Sequence, residues 1–279
     1  MSSIFNNVEL LTVSYMSDHI VHQNIENINE KFKITIVENS NNVNFKLNIE
    51  KKKNINCILA GENIGFGSAF NLGAKSIKSK YILHFNPDAM INDEVIESLY
   101  NKAEKTEFGI ISVKESDHNT GILNNTNSLI EVDSVKGFVM FVKNSALKKV
   151  DYFDENIFLY LEEIDLCRRL KKVNQKIFLD ENIVVKHIGG KSHDPMFNDL
   201  MELQRNWHYM WSLFYFTKKH KNLFHAYKIT LRKFISAIGK CLIYYFLNKK
   251  KYKIYKHRFL GLFNSYLGKK SFFRIKLSK

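Results

Sequence analysis

Apolar and polar positions follow two alternating patterns along the first part of the chain. Short apolar runs rich in β-branched residues predict strands, because such side chains fit the half-buried surface of a sheet. These runs lie at residues 8–15, 31–38, 55–60 and 81–85. Helical segments follow them, ending near residue 28, covering 65–79, and running from a cap at Asn92 and Asp93 to residue 105. Strands alternating with helices at this spacing predict an α/β fold with a mostly parallel central sheet.

The pattern changes in the second half of the chain. Residues 135–142 and 183–185 predict two further strands, and Gly137 marks a point of close approach in the first. Residues 151–169 combine aromatic side chains with closely spaced carboxylates. Apolar residues then recur at helical spacing in 207–216 and 223–247. We expect an α/β body followed by amphipathic helices.

Charge divides the chain near residue 200. Residues 1–200 contain 23 Lys and Arg against 27 Asp and Glu, a net charge of −4. Residues 201–279 contain 19 Lys and Arg against the single Glu202, a net charge of +18. The expected domains are therefore 1–200 and a basic helical region at 201–279.

Composition excludes several classes of protein. With 45% hydrophobic and 25% charged residues and only two prolines, the chain is predicted to be globular. Cys57, Cys167 and Cys241 lack metal-ligand spacing, which favours a reduced compartment over a disulfide scaffold. No secretory signal is expected, because the first residues show no basic segment followed by an apolar run.

The glycine-containing loop at residues 62–71 departs from a dinucleotide fingerprint. Phe70 stands where the third glycine is needed, and the loop does not follow the first strand. A P-loop sequence is also missing. On its own, the loop is interpreted as a glycine-permitted turn before a helix.

Two candidate ligand-binding side chains follow predicted strands. The strand at 81–85 must end at Asn86-Pro87-Asp88, since proline cannot donate to a ladder, and Asp88 is left at the carboxyl edge of the sheet. Open α/β sheets bind ligands at that edge. His187 follows the strand at 183–185. A turn-forming aspartate and a structural histidine are the alternatives.

Three carboxylates, Glu162, Glu163 and Asp165, lie within four residues and repel each other unless something requires them. If the segment is helical, Glu162 and Asp165 share a face while Glu163 points elsewhere. The alternative is a solvated acidic helix start that Arg168 and Arg169 balance.

Taken in order, these motifs resemble the inverting glycosyltransferases of family 2, in particular the rhamnosyltransferase-like branch that builds bacterial surface polysaccharides. The resemblance covers residues 8–192. Its carriers are Val13-Ser14-Tyr15, Val37-Glu38-Asn39-Ser40, the loop 63–67 with Asn71, Asn86-Pro87-Asp88, the Gly137 strand, the block 153–165, and His187 to Ser192. It implies a GT-A fold, with a Rossmann-like nucleotide-binding half joined to an acceptor half.

The resemblance also implies a donor site with a divalent metal, Mn²⁺ or Mg²⁺. Asp88 and His187 correspond to its protein ligands, and the metal bridges the donor diphosphate. Asn86 replaces the usual first aspartate of the family's DXD motif, and Glu38 replaces an aspartate that contacts the nucleobase. The implied nucleotide and donor contacts are Ser14, Tyr15, Glu38, Asn63, Gly65, Asn71, Asn86, Lys191 and Ser192.

The family's general base lies in a Glu-Asp-x-Asp block, which is Glu162-Glu163-Ile164-Asp165 here. The second position implies Glu163 as the base that deprotonates the acceptor hydroxyl. Because glutamate is one methylene longer than aspartate, Glu162 and Asp165 stay open as alternatives. Attack on the anomeric carbon opposite the diphosphate then inverts the sugar in one displacement.

The implied substrates are a nucleotide sugar, either dTDP-rhamnose or a UDP-hexose, and a lipid-linked glycan acceptor of O-antigen or capsule synthesis. One rival is a nucleotidyltransferase, which would need a glycine-rich basic loop that residues 1–40 lack. The other rival is a sugar-nucleotide-binding module without catalytic activity, suggested by the substitutions at Asn86 and Glu163.

The basic region is predicted to lie on a membrane. Its purest apolar run, 234–247, is 14 residues long and is broken by Ser236, Gly239 and Lys240, whereas a spanning helix needs about 20 apolar residues. We expect residues 201–279 to contact an anionic surface at the inner face of the cell membrane. Packing on the body or a homodimer is the alternative. No nucleic-acid partner is expected, because no binding motif occurs.

Overall fold

The computed structural model describes residues 4–124, 129–187, 189 and 195–275. The strands are β1 (Val8–Ser14), β2 (Lys33–Glu38), β3 (Ile55–Leu59), β4 (Tyr81–Phe85), β5 (Ile110–Ser116), β6 (Gly121–Ile122), β7 (Leu129–Glu131), β8 (Val139–Lys143) and β9 (Ile177–Lys186). The helices are α1 (Ile4–Asn7), α2 (Asp18–Ile25), α3 (Val43–Ile49), α4 (Phe66–Ser76), α5 (Asp93–Ala103), α6 (Asn144–Lys149), α7 (Glu162–Lys172), α8 (Asn198–His220), α9 (Leu223–Leu247) and α10 (Lys249–Tyr266).

The described strands form one sheet in the order β3-β2-β1-β4-β8-β5-β9-β6, with β7 also paired to β9. Strands β1 to β4 are mutually parallel, and β8 runs antiparallel between β4 and β5. Strand β9 is parallel to β5. The predicted mixed α/β fold with a mostly parallel central sheet is confirmed.

Local sequence explains where several elements begin and end. Strand β4 is buried along its whole length and ends before Pro87, as predicted. The Asn92 side chain accepts a hydrogen bond from Val95 N and caps α5, which Asp93 and Glu94 favour further in its first turn. Helix α3 was not among the expected elements, although Asn42 caps it by accepting from Phe45 N.

Two expected boundaries are wrong. The strand predicted for 135–142 begins only at Val139, because residues 135 and 136 lie outside the sheet and Gly137 and Phe138 form the turn that leads into it. The strand predicted for 183–185 is the end of the longer β9, whose ladder with β5 shifts register between Val113 and Lys114.

The chain forms two compact units. Unit 1 comprises Met1–Asp154 with Glu163–Asp194, and unit 2 comprises Glu155–Glu162 with Pro195–Lys279. In unit 1, one apolar cluster includes Leu10, Ile34 and Leu83, and a second includes Leu11, Val37 and Ile82. Since neighbouring strand residues point to opposite faces, the sheet is buried on both sides.

Unit 2 contains α8, α9 and α10. Met210, Phe214, Ala226 and Leu262 form its apolar centre. Gly261 permits close packing there, because a Cβ at this position would lie 2.3 Å from the Trp207 carbonyl oxygen. Among the described residues, no helix is both long and apolar enough to cross a membrane. A domain boundary at residue 200 stays a prediction.

Candidate active site

Three parallel strands of unit 1 end at one edge of the sheet. Ser14 and Glu38 are paired across β1 and β2, and both are fully buried. Asn39 N donates to Ser14 O at 2.8 Å, and Ala60 N donates to Glu38 O at 3.0 Å, so the ladder continues into the loops. The loops after β1, β2 and β3 are therefore held side by side.

Glu38 shapes the loop after β2. Its carboxylate accepts hydrogen bonds from Ser40 N at 3.0 Å, from Asn42 N at 2.5 Å and from the Ser40 hydroxyl. The side chain has no exposed surface. Its contact with a nucleobase stays a prediction, since in this arrangement the carboxylate faces its own turn.

An asparagine pair joins this loop to the start of α4. Asn39 Nδ2 donates to Asn63 Oδ1 at 3.1 Å, while Asn39 Oδ1 accepts from Ile64 N at 3.0 Å. Asn63 Oδ1 also accepts from Gly65 N at 3.1 Å. Gly65 precedes the helix with φ of +89°, a conformation that side chains other than glycine's rarely adopt.

The other nucleotide candidates differ in exposure. Tyr15, Asn63 and Asn86 are partly exposed at the strand ends. Asn71 is buried, and its amide exchanges two 3.0 Å hydrogen bonds with the backbone of Phe153. Ser14 Oγ lies 3.1 Å from Ser17 Oγ. Lys191 and Ser192 lie outside the described residues.

The two proposed metal ligands lie next to each other. Asp88 Oδ1 is 3.3 Å from His187 Nε2, and Asp88 is only 4% exposed. Ala89 and His187 form a backbone bridge, which brings the loop after β4 against the end of β9. Sequence analysis named both residues, and the structure brings them together.

Glu115 completes this arrangement from the end of β5. Its Oε1 lies 2.6 Å from His187 Nδ1, and its other oxygen pairs with Lys136. Phe138 stacks on the imidazole with ring centroids 4.9 Å apart. Burial would lower the pKa of His187, but the hydrogen bonds to Asp88 and Glu115 outweigh it and raise that pKa above its ordinary value.

The geometry suits a divalent metal. Adjacent ligands of an octahedral ion at about 2.1 Å lie roughly 3.0 Å apart, close to the observed separation of Asp88 and His187. Glu115 would hold the imidazole so that Nε2 faces the ion. No group of three or more His, Cys, Asp or Glu residues suited to a metal occurs in the described part of the chain. Asp88 and His187 are side chains that could hold such an ion together.

Asn24 was missed by sequence analysis. Its Nδ2 donates to Pro87 O at 3.2 Å and to Ala89 O at 2.5 Å, and its Oδ1 accepts from Ile91 N at 3.1 Å. This buried side chain of α2 therefore fixes the loop that carries Asp88. A polar residue between the apolar Val21 and Ile25 was the available signal.

The acidic block begins α7. Tyr160 and Leu161 have φ of +71° and +72°, and this left-handed turn sets the start of the helix at Glu162. Asp165 is fully buried and accepts from Arg169 Nε at 2.7 Å. Arg169 also donates to Val150 O at 2.5 Å, so Asp165 anchors the helix to the preceding loop.

Glu163 has a different environment. It is partly exposed, and burial of its carboxyl group raises its pKa above the ordinary value. A Cβ at Gly137 would lie 3.5 Å from Glu163 Cβ, an ordinary contact, so glycine leaves room there without being strictly required. Glu162 is almost fully buried, with 5% exposed. Because burial raises its pKa, the Glu163 carboxylate binds a proton more readily than an exposed glutamate does.

Two characterised relatives are similar to this chain. Low-salt glycan biosynthesis hexosyltransferase Agl10 of Haloferax volcanii is 25% identical over 200 residues, 63% of this chain. The chain spans only 65% of that relative's length. Rhamnosyltransferase WbbL of Escherichia coli K12 is 25% identical over 202 residues, covering 58% of this chain and 76% of the relative.

The fold is similar to that of a solved enzyme, mannosyltransferase PcManGT from Pyrobaculum calidifontis, in complex with GDP-Man and Mn²⁺. The TM-score is 0.61 at 10% identity, over 95% of this chain and 88% of that one. The fold is thus that of a GT-A glycosyltransferase, as the resemblance implied. The family described as Glycosyl transferase family 2 matches residues 10–166, more than half of the chain. The chain therefore belongs to glycosyltransferase family 2.

Proposed function

We propose that this enzyme transfers a hexose or rhamnose from a nucleoside diphosphate to a glycan hydroxyl, with inversion and with the help of Mn²⁺ or Mg²⁺. The observation that carries the proposal is the contact between Asp88 and His187 at the carboxyl edge of β4, supported by Glu115. An acidic residue beside an imidazole at this edge offers hard oxygen and nitrogen ligands for such an ion.

Asp88 and His187 would hold the metal, which supplies charge stabilisation to the leaving diphosphate. Glu115 orients His187 by accepting from Nδ1, and Lys136 in turn fixes Glu115. Asn24 holds the backbone on both sides of Asp88. The protein thus preorganises the two ligands through residues that touch no substrate.

The nucleoside would lie over the ends of β1, β2 and β4. Partial exposure favours Tyr15, Asn63 and Asn86 for direct contact with the donor. Burial and internal hydrogen bonds favour a positioning role for Ser14, Glu38 and Asn71. Gly65, Lys191 and Ser192 stay candidates through the resemblance alone.

Glu163 would remove the proton of the acceptor hydroxyl. Its raised pKa suits a general base, and its partial exposure leaves the carboxylate accessible. Asp165 is less suited, because Arg169 already occupies its carboxylate. The deprotonated oxygen attacks the anomeric carbon as the bond to the diphosphate breaks, and no covalent enzyme intermediate is required.

We further propose a lipid-linked glycan of a bacterial surface polysaccharide, such as O-antigen or capsule, as the acceptor. The two relatives support a glycan product, since one is named for glycan biosynthesis and the other as a rhamnosyltransferase. Transfer of a rhamnose or a hexose agrees with their names. The family match disfavours the nucleotidyltransferase alternative.

Calorimetry with UDP, dTDP, GDP and CDP, each with and without Mn²⁺, tests the donor site. One nucleotide should bind in a metal-dependent way, and Asp88→Ala should abolish that dependence. Thermal stabilisation should accompany binding, about 2.7 kcal/mol at 100 times the Kd. Glu97→Ala, at an exposed carboxylate on α5, is the matched control. If every nucleotide fails to bind the wild type, the proposed function is wrong.

A further inference from the structure

Helix α9 carries an apolar stripe that unit 2 leaves largely exposed. We name it the α9 stripe and define it as Phe224, Leu231, Ile235, Leu242 and Phe246. Their spacing of seven and four residues places all five on one side of the helix. Their exposed fractions are 73%, 49%, 60%, 67% and 84%, in that order.

The opposite side of α9 already holds the helix in place. Ala226, Thr230 and Ala237 are buried there. Thr230 Oγ1 donates to Ala226 O at 2.7 Å and lies 2.8 Å from the Tyr266 hydroxyl of α10. Unit 2 therefore folds without burying the α9 stripe, and the exposed apolar surface requires another explanation.

Positive charge lies beside part of the stripe and at the end of α9. Lys228 and Arg232 line a depression together with Leu231 and Ile235 of the stripe. The run Lys249–Lys251 follows the end of α9 at the start of α10. Cation–π contacts hold Lys251 over Tyr244 and Lys240 over Tyr255, so aromatic rings and cations share this end of the unit.

Exposed apolar side chains together with positive charge favour one kind of partner for the α9 stripe. A second copy of the chain would bring two regions of +18 charge together, and their repulsion opposes such a dimer. An anionic lipid surface attracts the same charge and accepts the apolar side chains between its headgroups. Because no described helix is long and apolar enough to span, a position in the interface is the compatible one.

We propose that α9 lies flat on an anionic phospholipid bilayer, with the α9 stripe inserted below the headgroups and Lys228 and Arg232 contacting the phosphates. This identifies which face of residues 201–279 meets the inner membrane leaflet. The proposal does not depend on the donor site, because it concerns unit 2 alone.

Sedimentation with vesicles tests the proposal on the full chain. Vesicles of phosphatidylcholine mixed with phosphatidylglycerol should bind the wild type, whereas phosphatidylcholine alone should bind far less. The triple variant Ile235→Gln, Leu242→Gln, Phe246→Gln should lose at least about tenfold in affinity, since three apolar side chains leave the bilayer. The double variant Lys228→Gln, Arg232→Gln should weaken binding to the anionic vesicles only.

The matched control changes exposed apolar residues of unit 1, as Val43→Gln, Leu47→Gln, Leu123→Gln. It should bind as the wild type does. Circular dichroism should show unchanged helix content in every variant, because all the altered side chains are exposed. Wild-type failure to bind the anionic vesicles, or full binding by the stripe variant, overturns the proposal. So does a lipid-free dimer that the stripe variant converts to a monomer.

Discussion

The two units treat charged and apolar side chains in opposite ways. Unit 1 buries several charged groups completely, since Glu38, Asp165 and Asp180 have no exposed surface. Unit 2 exposes large apolar side chains, with Phe246 at 84% and Phe224 at 73%. Each departs from the usual distribution, in which charges face water and large apolar groups are inside.

This difference in burial bears on the functions proposed for the two units. A buried charge costs free energy unless it is hydrogen-bonded. The buried carboxylates of unit 1 meet this condition, since Glu38 accepts from its own loop, Asp165 from Arg169 and Asp180 from Lys102. An exposed apolar stripe is unfavourable in water, so covering it with a membrane or a partner lowers the free energy. The difference agrees with the proposed donor site in unit 1 and the proposed membrane contact of unit 2.

The largest effect is expected from a substitution that removes the proposed base of unit 1 and leaves unit 2 unchanged. Glu163→Gln keeps the shape of the side chain but removes the proposed base, so kcat should fall about 10²–10⁴-fold. The Kd of the nucleotide should be unchanged, because Glu163 contacts the acceptor in this mechanism. Glu181→Gln, at an exposed carboxylate of β9, should retain full activity. If Glu163→Gln keeps a normal kcat, Glu163 is not the general base, and Glu162 or Asp165 takes that role.

The pH dependence of activity tests whether Glu163 is the general base. The base must be ionised, and burial raises the pKa of Glu163 above its ordinary 4.5. Activity should therefore be present at higher pH and be lost as pH falls through this raised pKa, at a pH above 4.5. In the pH dependence of kcat/KM, Glu163→Gln should lack this acidic limb. An unchanged limb in the variant would assign it to another group.

Local sequence patterns predicted much of unit 1 but not how its site is held. Strand β4 matches its predicted bounds, because an apolar run and Pro87 are local signals. The asparagine cap of α5 is local in the same sense. The beginning of α7 could not be predicted, because Tyr160 and Leu161 adopt a left-handed conformation that their side chains do not favour.

The supporting residues escaped prediction because their partners are distant in sequence. Glu115 meets His187 across 72 positions, and Asn24 meets Pro87 across 63. A single sequence carries no signal for such contacts beyond a polar residue on an apolar helix face. Asp88 and His187 could be named because the family resemblance placed them, and only the structure shows what orients them.

A smaller effect is expected from removing the clamp on the Asp88 loop. Asn24→Leu leaves the carbonyls of Pro87 and Ala89 without their donor, so the free energy of unfolding should fall by about 1–3 kcal/mol. Metal-dependent nucleotide affinity should fall roughly tenfold, whereas residual binding without metal should change little. Equilibrium unfolding and calorimetry with and without Mn²⁺ measure the two effects.

Asn27→Leu is the matched control for this variant. Asn27 follows the same helix, is exposed, and donates only weakly to Gln23 O at 3.4 Å. It should leave both stability and nucleotide affinity unchanged. Equal losses of binding with and without Mn²⁺ in Asn24→Leu would show general loosening of the fold rather than positioning of Asp88.

The smallest effect is expected from breaking an ion pair on the surface of unit 2. A buried ion pair in unit 1 serves as the comparison. Lys250 Nζ lies 2.7 Å from Asp199 Oδ1, but both side chains are more than half exposed. Water and salt screen such a pair, so Lys250→Gln should change the free energy of unfolding by less than about 1 kcal/mol.

Lys102 instead pairs with the fully buried Asp180, and Lys102→Met should cost about 3–5 kcal/mol by leaving that carboxylate uncompensated. Chemical unfolding at low and high salt measures the free energy of unfolding of both variants. Equal losses of this free energy would contradict the distinction between the units.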